Sequence, residues 1–375
     1  LRGGMQMNCS ASPIPSTEIT NDTIVVLICY VLVFIISLVG NATMFLILFR
    51  NQKVKKRRVH VILFHNTIAH LFVTLFYIPK EIIHIITISW NGGNVLCKAC
   101  KFMDTFGITL SAYILICICL DRFYSIYFPL KIMNATKLVT GILSVAWLAA
   151  GLSALPQVFM FEEAAHPCHP SYKQCISLNV NGKVSHQLVK WYSIVNIFEV
   201  YILPLCIIIV CYGAILWKIR GGIPEKRKCK SPKRNNKPIL RSTGGEKMKA
   251  ARSKTLKMTL IIVLAFLACW TPYTVATLLH FFSDSMNGST LKTSTLFRKL
   301  LYAFAVFNSA ISPYIYGYFS FDLKKEIRFL LQCDFKTVAG RTYLNAAKSD
   351  YETRISSIRG SNSKKPKLYD NFQAL

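Results

Sequence analysis

Acidic residues are scarce in this chain. Its 375 residues hold 17 Asp and Glu against 45 Lys and Arg, a formal net charge of +28, which in a soluble domain would point to nucleic acid. Placement excludes that: the basic residues crowd into short stretches, and between them run long segments almost without charge. Also missing are the marks of an enzyme. There is no phosphate-cradling glycine loop, no nucleophile set beside a base, and no His or Cys at metal-ligand spacing with a carboxylate. No catalytic residues, no metal, no cofactor and no nucleic-acid partner are therefore expected. The stretch before Ile24 is too polar for a cleavable signal sequence, so the first apolar segment is expected to direct export.

What the chain has is hydrophobicity, 53% of its residues, laid out in seven runs. A helix needs about 20 mostly apolar residues to cross a bilayer core, and residues 24–49, 59–86, 101–127, 138–161, 191–217, 258–282 and 300–321 qualify. Continuous runs, rather than short alternating ones, predict helices and not a barrel. The expected fold is an all-α membrane protein, a seven-transmembrane-helix bundle with an amphipathic eighth helix. Its parts would be an extracellular tail over 1–23, the bundle over 24–320, and an amphipathic helix with cytoplasmic tail over 321–375.

Lys and Arg mark the cytoplasmic side. Six lie over 50–58, three over 122–137, 15 over 218–257 and 11 after residue 320. The N-terminus is thus expected outside, the C-terminus inside, and much of the net charge beside anionic lipid. On the outer side Asn8, Asn21 and Asn287 stand in glycosylation triplets. Of 13 cysteines, those near the outer face are the disulfide candidates. A Cys97–Cys175 bridge would tie the second outer loop over the bundle, and Cys9 with Cys168 is a candidate second bridge that leaves Cys100 single. Inside, Phe321, Leu323, Ile327, Leu330 and Leu331 fit an amphipathic helix on the membrane, with Cys333 at its end a candidate for palmitoylation.

Landmarks fall in one order along the runs. Gly40 precedes Asn41; Asp121-Arg122-Phe123 closes the third run; Trp147 sits in the fourth; Pro204 and Tyr212 lie in the fifth. Cys269-Trp270-Thr271-Pro272-Tyr273 follows in the sixth, and Ser312-Pro313-Tyr314-Ile315-Tyr316 ends the seventh. This set resembles the rhodopsin-like G-protein-coupled receptors from Ile24 to Cys333. The resemblance implies a switch in which Asp121 holds Arg122, Trp270 and the bend at Pro272 transmit movement, Tyr212, Pro313 and Tyr316 support the open arrangement, and Arg122 then meets a heterotrimeric G protein. Arrestin and a receptor kinase are implied partners for the polar tail.

Further motifs narrow the group. Lys254 to Thr259 leading into the Trp270 motif, Pro313 to Ser320, Ala154-Leu155-Pro156-Gln157 and Gln174-Cys175 resemble receptors for gonadotropin-releasing hormone and the related adipokinetic hormone, corazonin and vasopressin groups. That implies an extracellular peptide ligand, a Gq-type G protein, calcium release and a plasma-membrane location. The pattern is broken where such receptors carry an acid in the second helix, here His70, and an Asn or Asp before Pro313, here Ser312, so no acidic sodium site is expected.

Charge inside a membrane bundle defaults to function. Glu81 matches the position of an acidic ligand contact in the gonadotropin-releasing-hormone receptors, while Asp104 stands where they have Lys. The two acids invite a cationic group on the ligand, with Gln157, Tyr273 and His280 as further wall residues. An internal ion pair, for instance Glu81 with Lys80 or Lys101, is the plainer alternative. Asp104 also keeps open a biogenic-amine receptor. A seven-helix transporter would want repeats or broken helices, and a retinal pump a Lys in the last run, which has none.

Overall fold

The computed structural model describes residues 19–54, 58–128, 135–180, 182–220, 243–286, 295–322 and 326–328. Seven long helices dominate it. They are α1 (Asn21–Val54), α2 (Arg58–Thr87), α3 (Gly93–Tyr127), α4 (Ala135–Met160), α5 (His186–Ile197 running on through Leu203–Arg220), α6 (Thr243–Met286) and α7 (Thr295–Ser320). Most helices outrun the apolar run that announces them; α3 begins at Gly93 and α4 at Ala135. A helix satisfies its own peptide groups whether in lipid or in water, so nothing obliges it to stop at the hydrocarbon edge. For the same reason α1 starts at Asn21, inside the expected tail.

Among the described residues, six of the helices are long and apolar enough to cross a membrane. The seventh, α7, is less apolar because it carries Arg298 and Lys299 at its start and Tyr302, Tyr314, Tyr316 and Tyr318 further on. It nonetheless packs between α1 and α6 and closes the ring. At the centre is α3, in contact with α2, α4, α5 and α6. Residues Gly107 to Ala112 are buried on every face of it, the pattern of a helix surrounded by others. By contrast Val145, Leu148, Leu152, Leu155 and Phe159 of α4 are exposed at three- and four-residue intervals, a stripe suited to lipid.

Gly40 sets the distance between α1 and α7. A methyl group there would stand 2.8 Å from Pro313 Cγ and 2.8 Å from the Tyr314 ring; only the smallest residue admits so close a crossing.

Two helices carry a π-helical turn, Val73–Tyr77 in α2 and Phe198–Ile202 in α5. Between α4 and α5, where the sequence shows only a loop, the chain forms an antiparallel hairpin of β1 (Phe161–His166) and β2 (His169–Ser177), with Glu163 opposite Cys175. Such a hairpin is marginal alone. Here it is tied down by the Cys97–Cys175 disulfide, by the Trp90 amide donating to Lys173 O at 2.7 Å, and by Gln174 Nε2 donating to Ile88 O at 2.6 Å. Of the expected amphipathic helix, residues 326–328 are helical, and an ion pair joins Glu326 to Arg50 of α1.

Candidate functional site

The hairpin roofs one end of the bundle. Beneath it lies a cavity of about 560 Å³ lined by Lys80, Glu81, His84, Lys101, Gln174 and Lys299, among others. A second, of about 510 Å³, shares Tyr30, Glu81 and Lys299 with the first and adds Tyr273, Arg298 and Tyr302. A third, of about 210 Å³, shares Tyr273 and Tyr302 with the second and reaches Asp104, Gln157 and Trp270. The residues thus form a path from the hairpin to the aromatic floor.

The two acids of this path share one cation. Lys80 Nζ lies 2.5 Å from Asp104 Oδ2 and 2.8 Å from Glu81 Oε1, with its side chain only 11% exposed. Buried charges require such partners, and here the partner is internal. The cationic group that the sequence leads one to expect of a ligand is supplied by the protein itself. Lys101 lies over the Phe161 ring of β1, 4.8 Å from its centroid, so the hairpin also covers a second cation.

Deeper in, Gln157 Nε2 donates to Tyr192 OH at 2.9 Å, and that hydroxyl donates to Ser153 O at 3.2 Å, joining α4 to α5. Tyr273 meets Tyr302 edge-on at 4.9 Å between ring centroids. Trp270 is buried against Phe266 and Tyr273. Beside it, Tyr201 OH and Thr271 Oγ1, 2.6 Å apart, connect α5 to α6 one residue before the Pro272 break.

Between the cavities and the far end lies a polar core without a carboxylate. His70 of α2 stands 3.1 Å from Asn66 Nδ2 and 3.2 Å from Ser309 Oγ of α7, which suits a ring that accepts at Nε2 and donates from Nδ1. Asn41 Nδ2 donates to Ser309 O at 2.9 Å, and Ser37 and Thr74 hydroxyls lie 2.6 Å apart. Thr67 Oγ1 and the fully buried Tyr316 hydroxyl lie 3.0 Å apart, while Ser312 Oγ turns back to Asn308 O at 2.8 Å. Three helices, α1, α2 and α7, are pinned by neutral groups alone.

At the far end Asp121 is buried and takes two arginines. Arg122, its neighbour, holds Oδ2; Arg58 of α2 reaches Oδ1 at 3.1 Å and also donates to Ser125 Oγ at 3.3 Å. Close by, Tyr127 OH donates to Ala214 O at 2.7 Å, linking α3 to α5. Tyr212 packs half-buried against the core.

The structure therefore gathers Glu81, Asp104, Gln157 and Tyr273 at one end, and Asp121, Arg122 and Tyr212 at the other, with Trp270, Pro272, Pro313 and Tyr316 between. His280 lies on α6, but its side chain falls outside the described residues, as do Asn8, Asn287, Cys9 and Cys333. Asn21 is exposed in the first turn of α1. Cys97 and Cys175 are bonded, with Cα atoms 5.6 Å apart; Cys168 is disulfide-bonded and Cys100 is free. The internal pair of Glu81 with Lys80, the plainer alternative from sequence, is formed; sequence reasoning misses that Lys80 also takes Asp104, and it misses Arg58 and Tyr192. A Lys beside an acid in a bundle-facing stretch is itself the signal for an internal pair.

Comparison with known proteins places this geometry. Residues 40–316 match the seven-transmembrane receptor (rhodopsin family). The chain is 30% identical over 298 residues to the gonadotropin-releasing hormone receptor of Mus musculus, covering 76% of this chain and 86% of that one. Against the gonadotropin-releasing hormone receptor of Equus caballus it is 29% identical over 336 residues, 84% of this chain and 97% of the other. It is 30% identical over 253 residues to the gonadotropin-releasing hormone II receptor of Clarias gariepinus, 67% and 64% respectively.

Proposed function

The chain belongs to the rhodopsin family of seven-transmembrane receptors, and on that premise we propose that it is a peptide-hormone receptor of the plasma membrane that activates a heterotrimeric G protein. The hairpin end with the N-terminus faces outward and takes the ligand; the Asp121 end faces the cytoplasm. The G protein is of Gq type, with calcium release, as the resemblance implies. Arrestin and a receptor kinase act on the tail.

The observation that carries the peptide reading is the path of cavities under the hairpin, lined by hydrogen-bonding and aromatic side chains from α1, α2, α3, α5, α6 and α7. An extended ligand could engage all of these at once, and it would act by binding the open arrangement of helices more tightly than the closed one. A small amine would need an available carboxylate, and Lys80 already engages both Asp104 and Glu81. Relatives named as hormone receptors support the same reading.

The test is intracellular calcium in cells expressing the chain, challenged with amidated peptides of the gonadotropin-releasing-hormone, adipokinetic, corazonin and vasopressin types beside a biogenic-amine panel. A saturable response to a peptide, lost in Arg122→Ala at equal surface expression, is expected. A response to amines alone would overturn the proposal.

A further inference from the structure

Resting on the peptide-receptor reading above, we infer that the outer site selects a ligand bearing a carboxylate, seated between Lys101 of α3 and Lys299 of α7. Both side chains line the cavity under the hairpin. Positive charge is in surplus here. Among the described residues, Lys80, Lys101, Arg298 and Lys299 line the path of cavities, against Glu81 and Asp104. Lys80 pairs with one oxygen of each acid, Glu81 Oε1 and Asp104 Oδ2, while Asp104 Oδ1 is buried without a hydrogen-bond partner. Among the described residues Lys101, Arg298 and Lys299 have no ion pair. Lys101 is half-buried with its ammonium over Phe161, and Arg298 and Lys299 are exposed at the start of α7.

A cation drawn partly out of water beside a cavity is a standing demand for an anion. Coulomb attraction grows as water leaves, and an aromatic face offsets only part of the lost hydration. A ligand carboxylate entering here gains two ammonium partners, whereas a ligand cation meets a net positive wall. Selection works through that difference, attraction for one charge and rejection of the other. The two acids remain useful in this scheme, because they hold Lys80 in place and keep the surplus cation count from rising further.

The test uses the full chain in lipid nanodiscs and isothermal titration calorimetry with four short probes. Three are amidated, N-acetyl-Tyr-Asp-Trp-Gly and its Asn and Lys counterparts; the fourth is the Asn peptide with a free C-terminal acid. The Asp probe is expected to bind about tenfold tighter than the Asn amide, the size of a partly desolvated charge pair, and the Lys probe more weakly than either. Lys101→Gln and Lys299→Gln should each remove most of that preference, and Lys101→Glu should reverse it. Lys183→Gln, whose partner is Glu162 on the hairpin, should leave it intact, and unfolding midpoints identify any variant that fails to fold. A free-acid probe that matches the Asp probe would assign the carboxylate to a peptide C-terminus rather than a side chain.

Equal affinities for the Asp and Lys probes, binding of neither up to millimolar concentration, or an Asp preference that survives Lys101→Glu would overturn the inference. The receptor reading fails separately. Calcium responses to a neutral peptide with no Asp preference here would leave that reading standing and remove this one, while an Asp preference in a receptor silent to every peptide would do the reverse.

Discussion

Arg58 and Arg122 bind opposite oxygens of one carboxylate, Asp121, so that the side chain joining α3 to its own neighbour is also joined to α2. The arrangement matters when Arg122 leaves. An Asp stripped of its only partner inside a protein is costly, but Asp121 would keep Arg58 and its cost of release falls.

Arg58→Ala is therefore expected to lower basal nucleotide exchange on a co-expressed G protein, by about fivefold if Arg58 contributes about 1 kcal/mol to the open arrangement. Asp121→Asn, which frees Arg122 directly, should raise exchange by a similar factor. In the Asp121→Asn background Arg58→Ala should have little further effect, since the group it compensates is gone. An increase on Arg58→Ala alone, at equal surface expression, would mean that Arg58 restrains the closed arrangement instead.

Gly40→Ala should loosen the contact of α1 with α7. The added methyl meets the Pro313 ring and the Tyr314 ring, neither of which has a flexible end to move aside. Overpacking of this kind costs about 1–3 kcal/mol. The thermal midpoint of the purified receptor should fall accordingly, and Gly141→Ala, where a methyl meets nothing within 4 Å, serves as the neutral comparison.

His70→Ala removes the bridge from α2 to α7 and leaves the Ser309 hydroxyl and Asn66 amide without that partner. Stranded buried polar groups cost about 1–3 kcal/mol each, which an unfolding midpoint would register. Because the surrounding donors and acceptors are amide, imidazole and hydroxyl groups, replacing sodium with choline should not move the wild-type midpoint. A sodium-dependent rise would show that these neutral groups suffice to hold the ion.

Cys175→Ser opens a bridge spanning 78 residues and should lower stability by roughly 2–5 kcal/mol. The hairpin would keep the disulfide at Cys168 in its turn, its hydrogen bonds to residues 88–90 and 94 and its side-chain contacts, but lose the tether to α3. Peptide-evoked calcium responses should then weaken more than surface expression does, because the lost tether positions Phe161 over Lys101 and Gln174 beside His84, 2.7 Å away.

The seven helices are legible in the sequence because apolar continuity is a property of the chain read in one dimension. The switch residues are legible for a related reason: Asp121 beside Arg122, or Pro272 two residues after Trp270, carry their meaning in their spacing. The hairpin is not, since its pairing depends on Cys97 and Trp90, which lie more than 60 residues away in the chain. Nor is the reach of Lys80 to Asp104, although its pairing with the adjacent Glu81 is. Sequence shows a charge and its place along a helix, but who stands opposite is decided by how helices pack, and Lys80 faces α3. Arg58 reads only as one more positive charge at a membrane edge until Asp121 is seen beside it.

The wide turn over Val73–Tyr77 gives α2 one residue more than an uninterrupted helix of the same rise, and so advances everything beyond it by about 100° in phase. Wind the same residues as an uninterrupted α-helix and Pro79, not Lys80, would point at Asp104, and the carboxylate would lose its cation. The turn thus decides which side chain of α2 is presented to α3: a change of winding at 73–77, with no side chain substituted, would redraw the charge of the cavity beneath the hairpin.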